Sequence, residues 1–238
     1  MIFLSASCTD IGKKRKLNED AILDDAGSGI WAVADGMGGH EAGEVASAQI
    51  VEALSEMKGG GGLQSDKDLA CERLQEVNAS LITLARTSGD DDKTIGSTVA
   101  GLLIRDHRYC CIWAGDSRVY LVRDRTIAQL TTDHSLVNDL VRSGMVSPEE
   151  AVSHPDSNVI TRAVGAKSQL VLDTCEDKVL AGDIFLLTTD GVNRVVSDEE
   201  LCDILLTRNP GQAVETVRHA VLSRGAPDNL SIVVVRVA

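Results

Sequence analysis

Aromatic residues are scarce in this sequence: Phe, Trp and Tyr make up only 3% of its 238 residues. The core must therefore be built from Val, Leu, Ile and Ala. Modules that bind single-stranded nucleic acids stack bases on aromatic side chains, so this composition argues against them. Basic residues are also in deficit, because the formal net charge is -13 and the one basic run is Lys13 to Lys16. Since nucleic-acid binders carry a basic face, no nucleic acid is expected as a partner.

Metal-binding cysteine pairs and membrane-spanning runs are missing as well. Six cysteines are present, but no two are spaced as Cys-x-x-Cys, so a zinc site is not expected. We interpret all six as reduced thiols of a cytoplasmic protein. The neighbours Cys110 and Cys111 lie in an apolar stretch and are expected to point to opposite faces of a strand. No apolar run approaches the length of a membrane span, and residues 1–7 lack the basic start of a signal peptide.

The distribution of apolar residues predicts an α+β fold. Short apolar runs predict strands at 2–7, 20–24, 30–34, 98–104, 109–114, 119–123, 127–130, 170–177, 184–188 and 232–237. Helical spacing predicts helices at 41–57, from a capping box at 65–68 to about 84, at 135–143, from 147, at 197–207 and at 212–224. The strands come in antiparallel runs with helix pairs between them, which favours α+β layers over a doubly wound parallel sheet. No linker or repeat is visible, so residues 1–238 are expected to form a single domain.

A recurring pattern places an acidic residue at the end of an apolar run. The acidic positions are Asp35-Gly36, Asp116-Ser117 and Asp190-Gly191 after such runs, with Asn18-Glu19-Asp20 and Asp228-Asn229 just before two others. Each pair taken alone fits a simple turn, because Asp, Asn and Gly are turn formers. Several carboxylates beside apolar strands are harder to explain as turns, since a buried carboxylate is costly unless it is paired or metal-bound. If the strands share a sheet, their ends converge and the acids form one cluster.

Clustered carboxylates suit hard cations such as Mg²⁺, Mn²⁺ or Ca²⁺ rather than zinc. Two such ions can share a water, lower its pKa and hold a phosphoryl oxygen. Asp35 is placed to bridge two ions, and Gly36 leaves its own carbonyl accessible. A phosphate substrate also needs a positive group, which Arg15 can supply through bidentate hydrogen bonds. The alternative for Arg15 is an ordinary surface arginine in a basic run.

The order of these motifs resembles one known family. The motifs are Arg15-x-x-Asn18-Glu19-Asp20, Asp35-Gly36-Met37-Gly38-Gly39-His40, Gly96-Ser97-Thr98, Gly115-Asp116-Ser117-Arg118, Thr132-Asp133-His134-Ser135, Thr189-Asp190-Gly191 and Asp228-Asn229. Together they resemble the metal-dependent protein serine/threonine phosphatases of type 2C, or PPM, in their compact bacterial form. The resemblance runs from about residue 12 to residue 237. It implies a β-sandwich of two antiparallel sheets flanked by pairs of helices, in four αββα layers.

The resemblance also implies roles for individual residues. By position, the metal ligands are Asp35 as the bridge, the carbonyl of Gly36, Asp190 and Asp228 at the first ion, and Asp20 with Glu19 at the second. Two ions, Mg²⁺ or Mn²⁺, are implied, and the match of Asp116 adds the option of a third. Arg15 matches the phosphate-binding arginine. Residues 144–165 match a flap that influences the choice of substrate.

One departure from the pattern of the family concerns the general acid, whereas Ser97 for a more usual threonine and Thr188-Thr189 before Asp190 are tolerable changes. Met37 stands where many eukaryotic members have a histidine assigned as general acid. His40 is a nearby candidate for that catalytic role, but a structural residue capping the next helix is an equal alternative. Metal-bound water is another source of the proton for the leaving group.

The implied reaction is hydrolysis of phosphoserine and phosphothreonine by a water activated between two metal ions. The expected partners are proteins phosphorylated on serine or threonine, with a bacterial serine/threonine kinase as the opposing enzyme, and the expected state is a monomer. Control of type VI secretion is one setting for such an enzyme. Two rival functions remain at this point: a degenerate phosphatase that only binds phosphoproteins, and a metal-dependent nuclease. The intact set of aspartates opposes the first rival, and the acidic charge opposes the second.

Overall fold

The computed structural model describes residues 1–38, 42–57, 60–87, 94–152 and 154–238. The strands are β1 Phe3–Asp10, β2 Asp20–Asp25, β3 Ile30–Met37, β4 Gly96–Ser97, β5 Val99–Arg105, β6 Arg108–Ala114, β7 Arg118–Arg123, β8 Thr126–Gln129, β9 Asp173–Lys178, β10 Ile184–Thr188 and β11 Leu230–Val237. The helices are α1 Ala42–Ser55, α2 Leu63–Thr87, α3 Leu136–Arg142, α4 Pro148–Val152, α5 Asp190–Asn193, α6 Asp198–Thr207 and α7 Pro210–Ser223.

The strands form two antiparallel sheets. One sheet has the order β1-β11-β10-β7-β8, and the other has the order β2-β3-β5-β6-β9, with β4 beside β3. Tight hairpins join β5 to β6 and β7 to β8, where Asp106, His107, Asp124 and Arg125 all adopt positive φ angles. Paired positive φ angles give a turn whose twist matches the strands, which allows two residues to close each hairpin.

Alternating residues of the strands face different cores. The inner faces of the two sheets pack together around side chains such as Trp31, Phe185 and Val233, all of them fully buried. Cys111 belongs to this inner core, whereas its neighbour Cys110 belongs to the core between the second sheet and helices α1 and α2. The predicted opposite orientation of the two cysteines is therefore confirmed.

Two pairs of helices cover the outer faces of the sandwich. Helices α1 and α2 pack on the second sheet through residues that include Ile50, Leu74 and Leu81. Helices α6 and α7 pack on the first sheet through residues that include Leu201 and Val217. The predicted αββα layers are confirmed. No helix in the described ranges is both long and apolar enough to pass through a membrane.

Two local predictions were wrong, and each has a physical reason. Strand β3 does not end at Ala34 but continues to Met37, because Gly36 and Met37 pair with β4. Helix α2 begins at Leu63, so Ser65 lies inside its first turn and does not cap it. Asp190, for which a simple turn was the alternative, starts the short helix α5.

Candidate active site

The acidic residues singled out in the sequence meet at one end of the sandwich. Asp20 and Asp35 are register partners across β2 and β3. A cavity of about 360 Å³ opens at this end. Its lining includes Arg15, Glu19, Asp35, Gly36, Met37, Thr98, Asp116, Asn158, Asp190, Arg194, Asp228 and Asn229. Five different segments of the chain therefore bring carboxylates to a single cavity, as the strand-end pattern predicts.

Asp35 and Asp190 are close enough to interact directly. Desolvation raises the pKa of Asp35 well above its ordinary value, and the negative charges of Asp20 and Asp190 add to the effect. Desolvation also raises the pKa of Asp190, while the charge of Arg194 opposes the rise and the charge of Asp228 adds to it. Nearby like charges disfavour each other's ionised form, so a buried pair of this kind favours binding a proton or a cation.

Asp20 lies beneath the cavity and is oriented by two hydroxyl groups. Thr189 and Ser231 each donate a hydrogen bond of 2.8 Å to its Oδ2 atom. Burial raises the pKa of Asp20 to about 7, and the two hydroxyl groups oppose that rise. Because Oδ2 is held on one side, Oδ1 has a fixed direction. Asp20 therefore lies behind the residues that line the cavity and is not itself part of the lining.

Glu19 and Gly36 are held together by the backbone. The amide of Gly36 donates to the carbonyl of Glu19 at 3.0 Å, and the amide of Glu19 donates to Oδ1 of Asn229 at 2.9 Å. A Cβ atom at Gly36 would overlap the carbonyl oxygens of Gly43 and Glu19. Burial raises the pKa of the Glu19 carboxyl, and Arg15 opposes that rise. Only glycine therefore allows the close backbone approach that places the two residues side by side.

Arg15 reaches the cavity from the basic run. Its Nη2 atom lies 2.7 Å from Oδ2 of Asp228, and this hydrogen bond raises the pKa of the guanidinium. The side chain is 51% exposed, so it is accessible from solvent as well as from the cavity. The structure therefore brings Arg15 together with the carboxylates. An ordinary surface arginine would not make this contact.

Asp116 is buried and is held by an arginine that the sequence analysis missed. Nη2 of Arg194 lies 3.0 Å from Oδ2 of Asp116, and Nε lies 3.1 Å from Oδ2 of Asp190. Burial raises the pKa of Asp116 to about 6, with the charge of Asp190 adding to the rise and Arg194 opposing it. Arg194 follows Asp190 by four residues in the same short helical turn. That spacing places both side chains on one helix face and was the available signal.

Two of the quoted motifs contain a histidine. In His134, Nδ1 accepts a hydrogen bond of 3.1 Å from the amide of Gly115, and Nε2 lies 3.1 Å from Asp173. It therefore fixes the turn that precedes Asp116 and does not line the cavity, in agreement with a structural role. His40 lies outside the described residues, so its catalytic role remains a prediction.

The side chains around the cavity fit hard cations. Among the described residues, Glu19 Oε1, Asp20 Oδ1 and Asp190 Oδ1 are buried carboxylate oxygens without a hydrogen-bond partner. Such oxygens are costly to bury unless a cation or a donor satisfies them. No group of three or more His, Cys, Asp or Glu side chains in the described ranges is arranged to hold an ion alone. Backbone carbonyls and water would complete the coordination, as Mg²⁺ and Mn²⁺ accept.

Comparison with known proteins decides the family. A family model described as protein phosphatase 2C matches residues 8–141. The serine/threonine protein phosphatase PstP of Mycobacterium tuberculosis is 35% identical over 238 residues, a match covering 98% of this chain and 45% of PstP. The chain belongs to the protein phosphatase 2C family. It spans about half the length of PstP. Protein phosphatase PhpP of Streptococcus pneumoniae is 34% identical over 237 residues, and the match covers 95% of this chain and 94% of PhpP.

Solved structures of this family share the fold. The structure of PppA, described as a key regulatory component of the T6SS in Pseudomonas aeruginosa, has a TM-score of 0.92 and 39% identity, covering 99% of this chain and 98% of PppA. The catalytic domain of PstP in complex with two manganese ions has a TM-score of 0.87 and 32% identity, covering 100% of this chain and 99% of that domain. The predicted protein phosphatase 2C family and α+β fold class are therefore confirmed.

Proposed function

We propose that this chain hydrolyses phosphoserine and phosphothreonine in proteins and depends on divalent metal ions to do so. The observation that carries the proposal is the convergence of carboxylates with partnerless buried oxygens on a cavity that Arg15 also lines. Carboxylates alone repel a phosphate dianion. The site becomes attractive to phosphate only when cations outweigh that negative charge.

Two ions, Mg²⁺ or Mn²⁺, are expected at the carboxylates. We assign Asp35, Asp190, Asp228 and the carbonyl of Gly36 as ligands, with Glu19 and Asp20 supporting the second ion. When bound, the ions supply an activated water and stabilise the charge on the phosphoryl oxygens. The PstP structure with two manganese ions supports this count for a relative that is 32% identical.

The chain's own residues bind and orient the substrate. Arg15 contacts Asp228 and is exposed enough to turn its guanidinium to a phosphate group. A guanidinium can bind two phosphate oxygens at once, which fixes the orientation of the ester. Thr189 and Ser231 keep Asp20 in one orientation, so the carboxylate does not have to reorganise when cations bind.

We further propose that residues 1–238 act as one catalytic domain with a flap at 144–165. Asn158 and Ile160 of this segment line the cavity, which supports a role in substrate choice. A cytoplasmic location, a monomeric state and an opposing serine/threonine kinase are part of the same proposal. The 39% identity to PppA over 99% of the chain favours a setting in the control of type VI secretion.

The test compares substrates and metals on the purified chain. Phosphoserine, phosphothreonine and phosphotyrosine peptides and a single-stranded oligonucleotide are incubated with Mg²⁺, with Mn²⁺ or with chelator. We expect phosphate release from the phosphoserine and phosphothreonine peptides, and from neither of the other two substrates. This release should require Mg²⁺ or Mn²⁺ and should stop with chelator. Asp190→Asn should abolish release, whereas Asp203→Asn, at an exposed position of α6, should not. Cleavage of the oligonucleotide in place of the peptides would support the nuclease alternative instead.

A further inference from the structure

Arg194 connects three separate parts of the active site. Its Nε atom contacts Asp190, from which it is four residues removed, and its Nη2 atom contacts Asp116 in the turn after β6. Its Nη1 atom donates a hydrogen bond to Oδ1 of Asn158 in the 144–165 segment. A planar guanidinium offers donors in fixed directions, so three acceptors at once define both its position and its plane.

Asp116 and Asp190, the two carboxylates that Arg194 contacts, are mostly buried and need a positive charge beside them. The side chains of Asp116 and Asp190 are only 9% and 17% exposed, while that of Arg194 is 37% exposed. A carboxylate with so little solvent is costly to keep charged without a cation nearby. Arg194 supplies that cation from within the chain.

Asp190 divides its two oxygens between different partners. Oδ2 faces the guanidinium of Arg194, while Oδ1 is buried and has no partner among the described residues. Oδ1 is therefore the oxygen that would be open to a divalent ion of the proposed two-ion site, because Oδ2 already contacts the arginine.

We propose that the guanidinium of Arg194 takes the place of a third metal ion between Asp116 and Asp190. This inference depends on the proposed two-ion site and concerns the additional position only. A divalent ion at that position would have to displace Arg194 from both carboxylates, or stand beside a fixed positive charge at close range. The chain therefore binds two ions per molecule and not three, with Arg194 acting as a positioning residue for Asp116 and Asp190.

The test counts bound Mn²⁺ per chain through the electron paramagnetic resonance signal of the free ion. The native chain should bind two ions, and Arg194→Gln should bind three, because the charge that blocks the additional position is gone. The double variant Arg194→Gln/Asp116→Asn should return to two. Arg218→Gln is the matched control, since Arg218 is 36% exposed and pairs with Asp10 away from the cavity. It removes the same charge and should leave the count at two.

The outcomes separate this inference from the proposed function. Three ions bound to the native chain, or two bound to Arg194→Gln, would overturn the role of Arg194 and leave the phosphatase proposal standing. Fewer than two ions bound to the native chain would contradict the two-ion site itself. If Arg194→Gln does not fold, the native count still decides, and Arg194→Lys, which keeps the charge, should bind two.

Discussion

Asp20 and Asp35 are directly opposite each other across the antiparallel pair of β2 and β3. Opposed residues of such a pair have Cβ atoms about 5 Å apart, so like charges there destabilise the sheet. Desolvation is the main cause of the raised pKa of Asp35, and the charge of Asp20 adds to it. Burial likewise raises the pKa of Asp20 to about 7, with the charges of Asp190 and Asp228 adding to the rise. A cation held by the buried carboxylates would offset both the desolvation cost and the repulsion, so metal affinity and the instability of the chelated protein are expected to share one cause.

Asp20→Asn should stabilise the metal-free protein. Because burial raises the folded pKa of Asp20 to about 7 from 3.8, its contribution to stability is present at low pH and is lost as pH rises to about 7. The charge at pH 8 therefore costs roughly 2–4 kcal/mol. With chelator, the native chain should melt at a higher temperature at pH 5 than at pH 8, and Asp20→Asn should shrink this difference. An unchanged difference would contradict the assignment.

Arg15→Gln should lower kcat/KM for a phosphothreonine peptide by roughly 10- to 100-fold, the value of a charge-assisted hydrogen bond pair. The guanidinium lies at the cavity and is exposed enough to meet a phosphate group. Steady-state kinetics and inhibition by inorganic phosphate measure the effect, and both should weaken together. Lys14→Gln removes the same charge from an exposed neighbour and should have little influence. Equal losses in the two variants would mean that Arg15 acts only through net charge.

Gly36→Ala should destabilise the protein by roughly 1–3 kcal/mol, because the added methyl group overpacks the site. A Cβ atom there would overlap backbone oxygens of Gly43 and Glu19, which cannot move independently. The control is Gly101→Ala in β5, where the nearest atom to the new Cβ is the carbonyl oxygen of Ile112 at 3.6 Å. Urea unfolding of both variants checks this, and we expect only Gly36→Ala to lose metal-dependent activity as well.

His134→Phe should destabilise the chain by about 1–3 kcal/mol, since the amide of Gly115 would lose its acceptor in a buried position. The turn before Asp116 would loosen at the same time. His219→Phe, on an exposed position of α7, is the matched control. Chemical denaturation should therefore give a clearly lower midpoint for His134→Phe than for His219→Phe. Similar midpoints would mean that His134 does not stabilise the turn before Asp116.

The positions of the acidic residues could be predicted because strand ends are visible in sequence. Asp35 and Asp190 each follow a run of apolar residues that forms a buried strand. Antiparallel pairing then brings such ends to one edge, and the order of the motifs gave the family and the αββα layers. These features depend on apolar runs and on the order of short motifs, and both can be read from a single sequence.

Features that depend on tertiary contact were not predicted. The contact of Arg194 with Asp116 joins residues 78 positions apart, and the contact with Asn158 joins a different segment again. Helix α5 has only four residues, so it shows no apolar period. The extension of β3 to Met37 likewise depends on pairing with β4, which is distant in sequence.

The central claim is that the carboxylates around Asp35 bind the metal ions on which phosphate hydrolysis depends. The most direct measurement is phosphate release from a phosphothreonine peptide by the native chain and by Asp35→Asn, each with Mn²⁺ and with chelator. We expect release by the native chain with Mn²⁺, none with chelator, and a fall to background in a folded Asp35→Asn variant. Release that persists in chelator, or that Asp35→Asn leaves unchanged, would contradict the claim.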